Sequence, residues 1–274
     1  MPGRDHSINP STNPGTKPST NLSAKHSTRI FDSHLHIIPA GYPLYENNGF
    51  LPDYFSVADY RTAMEAYDVQ GGVVVSGSFQ KQDQSYLLDS LRKLGEGFFG
   101  VTQLRFSVSD EDIIALNRAR VRGVRFNVMR GGSETVDNLA SFAARIYELA
   151  NWHVELYIDA REIEPLYGTL VALPSVSIDH LGLSKAGLPW VIKLAECGVK
   201  VKATGFGRVD YEPGQALSAI YDANPASLMF GTDLPGTRAP RPFCANDIAM
   251  IQETLGDAGV NRVLCDNALA FYNR

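Results

Sequence analysis

Apolar and polar residues recur along this chain with two periods, and the places where one period gives way to the other mark out its elements. Eight short runs have the length, apolar content and β-branched bias of buried strands: 30–34, 72–76, 98–104, 123–128, 154–159, 176–180, 199–204 and 228–233. Between them, apolar residues return at helical spacing over 57–67, 86–94, 110–120, 138–151, 162–173, 188–196, 215–223 and 246–256, and 263–272 reads as a closing helix. A strand followed by a helix, eight times over, predicts an α/β chain folded as a (β/α)8 TIM barrel, whose usual size is about 250 residues. An open doubly wound sheet is the competitor, but it normally stops at about five to seven strands. No Gly-x-Gly-x-x-Gly follows any strand, so a dinucleotide crevice has no support.

The pattern is absent from the first 28 residues. Positions 9–20 are nearly pure turn formers with nothing to bury, so residues 1–28 are expected to be a disordered tail and 29–274 a single barrel domain. The tail has no apolar stretch of the kind that marks a secretory signal, and His6 and His26 within it are discounted as ligands.

Composition narrows the function classes. A net charge of −5 and a pI near 5.7 leave no footprint for nucleic acid. No apolar run approaches the roughly 18 residues of a membrane span. Cys197, Cys244 and Cys265 are odd in number and share no short ligand spacing, so they read as incidental thiols of a reducing, cytoplasmic setting.

A TIM barrel carries its chemistry at the C-terminal ends of its strands, so polar residues there weigh more than elsewhere. The first strand ends in His34-Leu35-His36; strand alternation would put Asp32, His34 and His36 on one face, where two imidazoles can hold a metal ion or a polarised oxygen. The fourth strand carries Arg125 and Asn127, with Arg130 beyond. The fifth turns Glu155, Tyr157 and Asp159 inward, the sixth ends in Asp179-His180, the seventh in Lys202-Ala203-Thr204 with Arg208 following, and the eighth in Gly231-Thr232-Asp233. Burying that many polar groups without partners would cost about 1–3 kcal/mol each, and a mutually paired catalytic site is the economical explanation. Arg125, Arg130, Arg208, Arg105, Arg238 and Arg241 give six candidate cations around one mouth in an acidic protein, which predicts a small anionic substrate. Some of the six are expected to brace Asp179 or Glu155 instead. Lys202 either orients Asp233 or pairs with a carboxylate inside the barrel.

These residues resemble the amidohydrolase superfamily, in the amidohydrolase-related branch that includes 2-pyrone-4,6-dicarboxylate hydrolase and sugar and muconolactone lactonases. The resemblance spans roughly 29–274. It is carried by Phe31-Asp32-Ser33-His34-Leu35-His36, Gly123-Val124-Arg125-Phe126-Asn127, Ile178-Asp179-His180-Leu181-Gly182, Phe230-Gly231-Thr232-Asp233-Leu234-Pro235 and the ending 266–272. It implies a hydrolase that opens a small carboxylated lactone, with His34, His36 and His180 binding one divalent ion (zinc or manganese) together with Asp233, or polarising the carbonyl directly in a metal-independent reaction. Asp233 would be the general base, and Arg125, Arg130, Tyr157 and Arg208 would hold the substrate. The binuclear members of the superfamily place a carboxylated lysine or glutamate on the fourth strand and a histidine on the fifth. Here those strands offer Arg125 and Asn127, and Tyr157, while His153 lies at the wrong end of its strand and reads as structural. Two other readings stand beside this one: a metal-dependent decarboxylase of the same superfamily, and a non-catalytic barrel that binds an anion.

Overall fold

The computed structural model describes residues 28–273, so the expectation of a disordered tail falls almost wholly outside the described residues. Among these residues, eight parallel strands pair in sequence order: β1 (Arg29–Leu35), β2 (Asp68–Val75), β3 (Phe98–Thr102), β4 (Val121–Asn127), β5 (His153–Tyr157), β6 (Val176–Ile178), β7 (Lys200–Ala203) and β8 (Leu228–Phe230). Helices fill the returns: α1 (Val57–Ala63), α2 (Ser85–Leu94), α3 (Asp110–Arg118), α4 (Leu139–Ala150), α5 (Tyr167–Ala172), α6 (Leu188–Glu196), α7 (Pro213–Ala223) and α8 (Ala245–Asn261). A π-helical turn at Arg262–Asp266 then leads into α9 (Asn267–Tyr272). This is the TIM barrel that the periodicity predicts.

The last strand is too short to close the ring alone. Closure comes just beyond it, where the Asp233 amide donates to the His34 carbonyl at 2.7 Å and the His36 amide to the Leu234 carbonyl at 2.8 Å. The chemistry-bearing ends of the first and eighth strands are therefore tied together by the backbone. Gly231 makes the approach possible, since a Cβ there would stand 2.7 Å from the His34 nitrogen.

Alternate residues of each strand face two cores. Leu35, Val74, Phe126, Leu156, Ile178, Val201 and Phe230 pack outward against the helices. Phe31, Val73, Val75, Phe99, Val101 and Met229 form a second cluster with Cys265, Ala268, Phe271 and Tyr272. The rings of Phe31, Phe99 and Tyr272 lie 5.9–6.3 Å apart at interplanar angles of 14–29°. The closing helix thus plugs the barrel floor with aromatic surface, and each buried side chain contributes about 1.5–3 kcal/mol.

One expectation fails in an informative way. Asp32 pairs with Gly72 and Leu35 with Val74, so three steps along β1 oppose two along β2. This bulge breaks the alternation that would have put Asp32 beside His34 and His36. The Asp32 carboxylate instead accepts from the Thr232 amide (2.8 Å), the Thr232 hydroxyl (2.7 Å) and Tyr60 of α1 (3.1 Å). It buttresses the segment leading to Asp233, and burial pushes its carboxyl up to about 6.

Candidate active site

Directly above the aromatic floor lies a layer of buried charge. Glu155 of β5 pairs with Lys202 of β7. Arg125 of β4 sends Nε (3.1 Å) and Nη2 (2.7 Å) to Asp179 Oδ2, and Nη1 to the Ser76 carbonyl (3.1 Å). Lys202 Nζ also lies 3.9 Å from Asp179 and 3.4 Å from His34 Nδ1. Burial and Asp179 raise the Glu155 carboxyl, yet Lys202 and its other neighbours win and hold it below its ordinary value. Asp179 is likewise held low against burial, chiefly by Arg125. Two carboxylates thus face two cations. The two readings of Lys202 are resolved in favour of an interior ion pair.

The next layer up holds the histidines and Asp233. The His34 ring centroid lies 5.1 Å from that of His36 and 4.9 Å from that of His180. His36 Nδ1 donates to the Val75 carbonyl at 2.7 Å, which turns Nε2 towards Asp233 Oδ1 at 3.5 Å. His180 Nδ1 shares a 2.7 Å hydrogen bond with the Thr204 hydroxyl. His34 Nε2 lies 3.8 Å from the same Asp233 oxygen, and both atoms are buried without a hydrogen-bond partner among the described residues. Asp233 Oδ2 is taken by Arg208 Nε at 2.6 Å. Burial is the largest influence and would raise the Asp233 carboxyl, but Arg208 and the neighbouring histidines together outweigh it and keep the group well below the carboxylate range. Burial lowers His34 strongly, with help from Lys202, and His180 to about 4, so these two are neutral at pH 7.

Backbone strain gathers at the same point. His180 and Asp233 both sit in the left-handed region, at φ 50° and 59°, as does Leu181 at 51°. For residues with a Cβ this costs of order 1–3 kcal/mol each, and such conformations cluster where a side chain must be aimed.

Above this layer opens a pocket lined by His36, Arg125, Asn127, Arg130, Tyr157, His180, Arg208 and Arg238, with Ser78 and Phe79 on one wall. Sharing Arg130, Tyr157, Arg208 and Arg238, it continues into an outer cleft past Asp159, Ser184 and Asp210. Six of the eight residues expected to form the site line this pocket, with His34 and Asp233 beneath it. The six candidate cations reduce to four. Arg105 is exposed and stands outside this lining, with Glu134 as its neighbour, and Arg241 is turned to Asp247 at 2.6 and 3.0 Å. His153 is at the barrel floor, bonded to the Arg122 carbonyl and edge-on to Phe271 and Tyr272, as its place at the start of β5 implies. Sequence reasoning placed Thr204 at a strand end without seeing that it orients His180, and it missed Asn47, which contacts Arg238 and lies in no pattern that marks it.

The donor set fits a divalent ion. His34, His180 and Asp233 each offer one ligand atom, all within 4.8 Å of one another. The fit rests on the two orphaned atoms: a neutral imidazole nitrogen and a carboxylate oxygen, buried together, lack the positive centre that would satisfy the oxygen.

Fold and site together define a hydrolase-type barrel, and the chain belongs to the amidohydrolase family, whose model matches residues 31–274. It is related to 2-pyrone-4,6-dicarboxylate hydrolase: the enzyme of Comamonas testosteroni is 30% identical over 156 residues, 55% of this chain and 51% of that one. The match therefore spans about half the length of that relative. A structure from Pseudomonas putida, provisionally assigned as a 2-pyrone-4,6-dicarboxylic acid hydrolase, aligns with TM-score 0.75 and 26% identity over 90% of this chain and 98% of its own. Two further structures show the shared fold at lower identity. Agrobacterium tumefaciens ATU3138 has TM-score 0.79 at 19% identity, covering 89% of this chain and 96% of its own. A probable 2-pyrone-4,6-dicarboxylic acid hydrolase of Acinetobacter baumannii, with citric acid bound, has TM-score 0.76 at 20% identity, covering 89% and 99%.

Proposed function

We propose that this protein opens a small carboxylated lactone, such as a 2-pyrone-4,6-dicarboxylate-like or muconolactone-like ring, by general-base-assisted attack of water. The observation that carries this reading is the pairing of one unsatisfied, ionised Asp233 oxygen with three histidines beneath a pocket rich in guanidinium groups. Water held at Asp233 Oδ1 gives up a proton to it while its oxygen attacks the lactone carbonyl. His34 and His180, whose Nδ1 atoms can accept from Lys202 and Thr204, can each turn an Nε2–H to that carbonyl oxygen, and His36 stands beside them. A well-placed donor there is worth roughly 3–4 kcal/mol. The acyl C–O bond then breaks, and Asp233 returns the proton to the departing ring oxygen. Arg130 and Arg208 hold the substrate carboxylates; Tyr157 and the floor residue Arg125, whose guanidinium lies 5.0 Å over the Tyr157 ring, form the wall behind them.

Arg208 keeps Asp233 ionised but also makes it a weak base. A divalent ion on His34, His180 and Asp233 would offset that weakness, since such ions lower the pKa of bound water from about 15.7 towards 7. The relationship to 2-pyrone-4,6-dicarboxylate hydrolase supports the substrate class.

The test is ring opening of a panel of carboxylated lactones, followed as acid release, with protein as purified and after chelation. Hydrolysis of at least one lactone is expected, and Asp233→Asn should slow it by about 10²-fold or more. Loss on chelation with recovery by zinc or manganese assigns the ion to these residues; survival assigns the polarising role to the histidines alone. If no lactone opens and CO2 is released from a carboxylated substrate without uptake of water, the reading is wrong and a decarboxylase replaces it.

A further inference from the structure

Arg238 stands apart from the other cations of the pocket. Its backbone is left-handed, at φ 60°, a conformation that an arginine adopts at a cost. Its Nη2 donates to the Asn47 carbonyl and to Asn47 Oδ1 (3.1 Å), and its guanidinium lies 4.5 Å over the Phe50 ring. All of these partners are neutral. The charged groups that act on it are Arg130 and Arg208, and burial together with Arg130 lowers its pKa. Arg130, Arg208 and Arg238 thus share one pocket with Arg125, and of the four only Arg125 and Arg208 have a carboxylate within ion-pair distance among the described residues.

Asn47 is placed to hold this arrangement. It belongs to a tight turn in which Asn47 and Phe50 exchange backbone hydrogen bonds at 3.0 and 3.1 Å, with Asn48 and Gly49 both at positive φ. Its Oδ1 also accepts from Ser78 Oγ at 3.1 Å, and its Nδ2 donates to the Arg130 carbonyl at 3.3 Å. One amide side chain in the β1–α1 connection therefore touches the segments that carry two cations, from β4 and from the loop after Asp233.

We infer that Arg238 is a further substrate-binding cation, and that Asn47 is the positioning residue that clasps Arg238 and Arg130 into a clamp for one carboxylate of a dicarboxylate ligand. An aspartate in place of Asn47 would hold Arg238 equally well and would neutralise it; an amide holds the guanidinium and leaves its charge unspent. Repulsion among the three cations is relieved when an anion enters, so the cost of assembling them is returned on binding. The inference rests on the lactonase reading for the identity of the substrate, but the anion site itself can be tested without turnover.

The experiment is calorimetric titration of the full chain with benzene-1,3-dicarboxylate and with benzoate. The parent should bind the dicarboxylate more tightly. Arg238→Met should weaken dicarboxylate binding by about 10- to 100-fold, the worth of a charge-assisted contact, and change benzoate binding little. Asn47→Asp is the discriminating variant: it keeps the contacts to Arg238 and Ser78, neutralises Arg238 and gives up the bond to the Arg130 carbonyl. It should keep a thermal midpoint near the parent's yet lose about as much dicarboxylate affinity as Arg238→Met. Parental affinity in Asn47→Asp, or in Arg238→Met, overturns the clamp. Should lactones be hydrolysed with an unchanged KM in Arg238→Met, the clamp fails and the lactonase stands. Should the dicarboxylate bind through Arg238 while no lactone opens, the clamp stands and the lactonase fails.

Discussion

The barrel interior contains two layers of charge, a few ångströms apart, built to opposite rules. In the lower one Glu155, Asp179, Lys202 and Arg125 are buried and matched one for one. In the upper one Asp233 pairs with Arg208 and, like Glu155 and Asp179 below it, keeps one oxygen without a hydrogen-bond partner, while Arg130 and Arg238 face the pocket with no carboxylate within ion-pair distance among the described residues. Matched charges in a low-dielectric interior hold a shape; unmatched ones wait for something else. The difference separates residues that brace the barrel from residues that meet a ligand, even where both are arginines at strand ends.

Perturbing the two layers should produce different losses. The largest effect is expected in the upper one. Asp233→Asn removes the proposed base and should lower kcat about 10²- to 10⁴-fold with a modest change in stability, checked by lactone turnover alongside urea unfolding. Lys202→Met should do the reverse in its primary effect. It strands Glu155 and should cost about 3–5 kcal/mol in unfolding free energy; a loss below about 1 kcal/mol would mean that the lower layer is not an interlocked set. Arg130→Ala should raise KM roughly 10-fold and leave the unfolding midpoint near that of the parent. Arg105→Ala, at the exposed candidate outside the pocket, should leave KM unchanged and stability within about 0.5 kcal/mol, which makes it the control for Arg130.

A smaller effect should appear in the pH dependence of stability. Burial lowers His180 from 6.5 to about 4, so between those values the unfolded chain binds a proton that the folded one refuses. Stability from this group is full above about 6.5 and is lost as pH falls towards 4. Asp32, raised from 3.8 to about 6, acts oppositely over an overlapping window, since there the folded chain binds more protons. Comparison with His180→Asn isolates the histidine: the parent's advantage over the variant should shrink as pH is lowered through that window. An advantage that stays constant with pH would mean that His180 is not held neutral.

What the sequence determined by itself was whatever depends on local period and spacing. Alternation set the eight strands and the helical repeat set the returns, because burying one face of each element requires those periods. The barrel then followed from their count, the barrel rule pointed to the strand ends, and the family resemblance singled out His34, His36, His180 and Asp233 among the polar residues there. Placing those four residues together needed no knowledge of side-chain partners, only of which end of a strand each one occupies. Strands β6 and β8 stop before His180 and Asp233, but the short extension past each one leaves both residues at the mouth.

The tertiary structure decided everything that depends on pairing across the chain. Arg125 and Arg130 look alike in sequence, and only the approach of Asp179, 54 residues from Arg125, binds one of them into the lower layer. Lys202 finds Glu155 in place of Asp233 for the same reason. Asp32 leaves the histidine face because β1 carries one residue too many against β2, a register fact that no alternation pattern encodes. Asn47 and Arg238 meet across 191 residues. Hydrophobic period is a property of neighbours along the chain, whereas charge compensation is a property of neighbours in space, and an active site is built from the second.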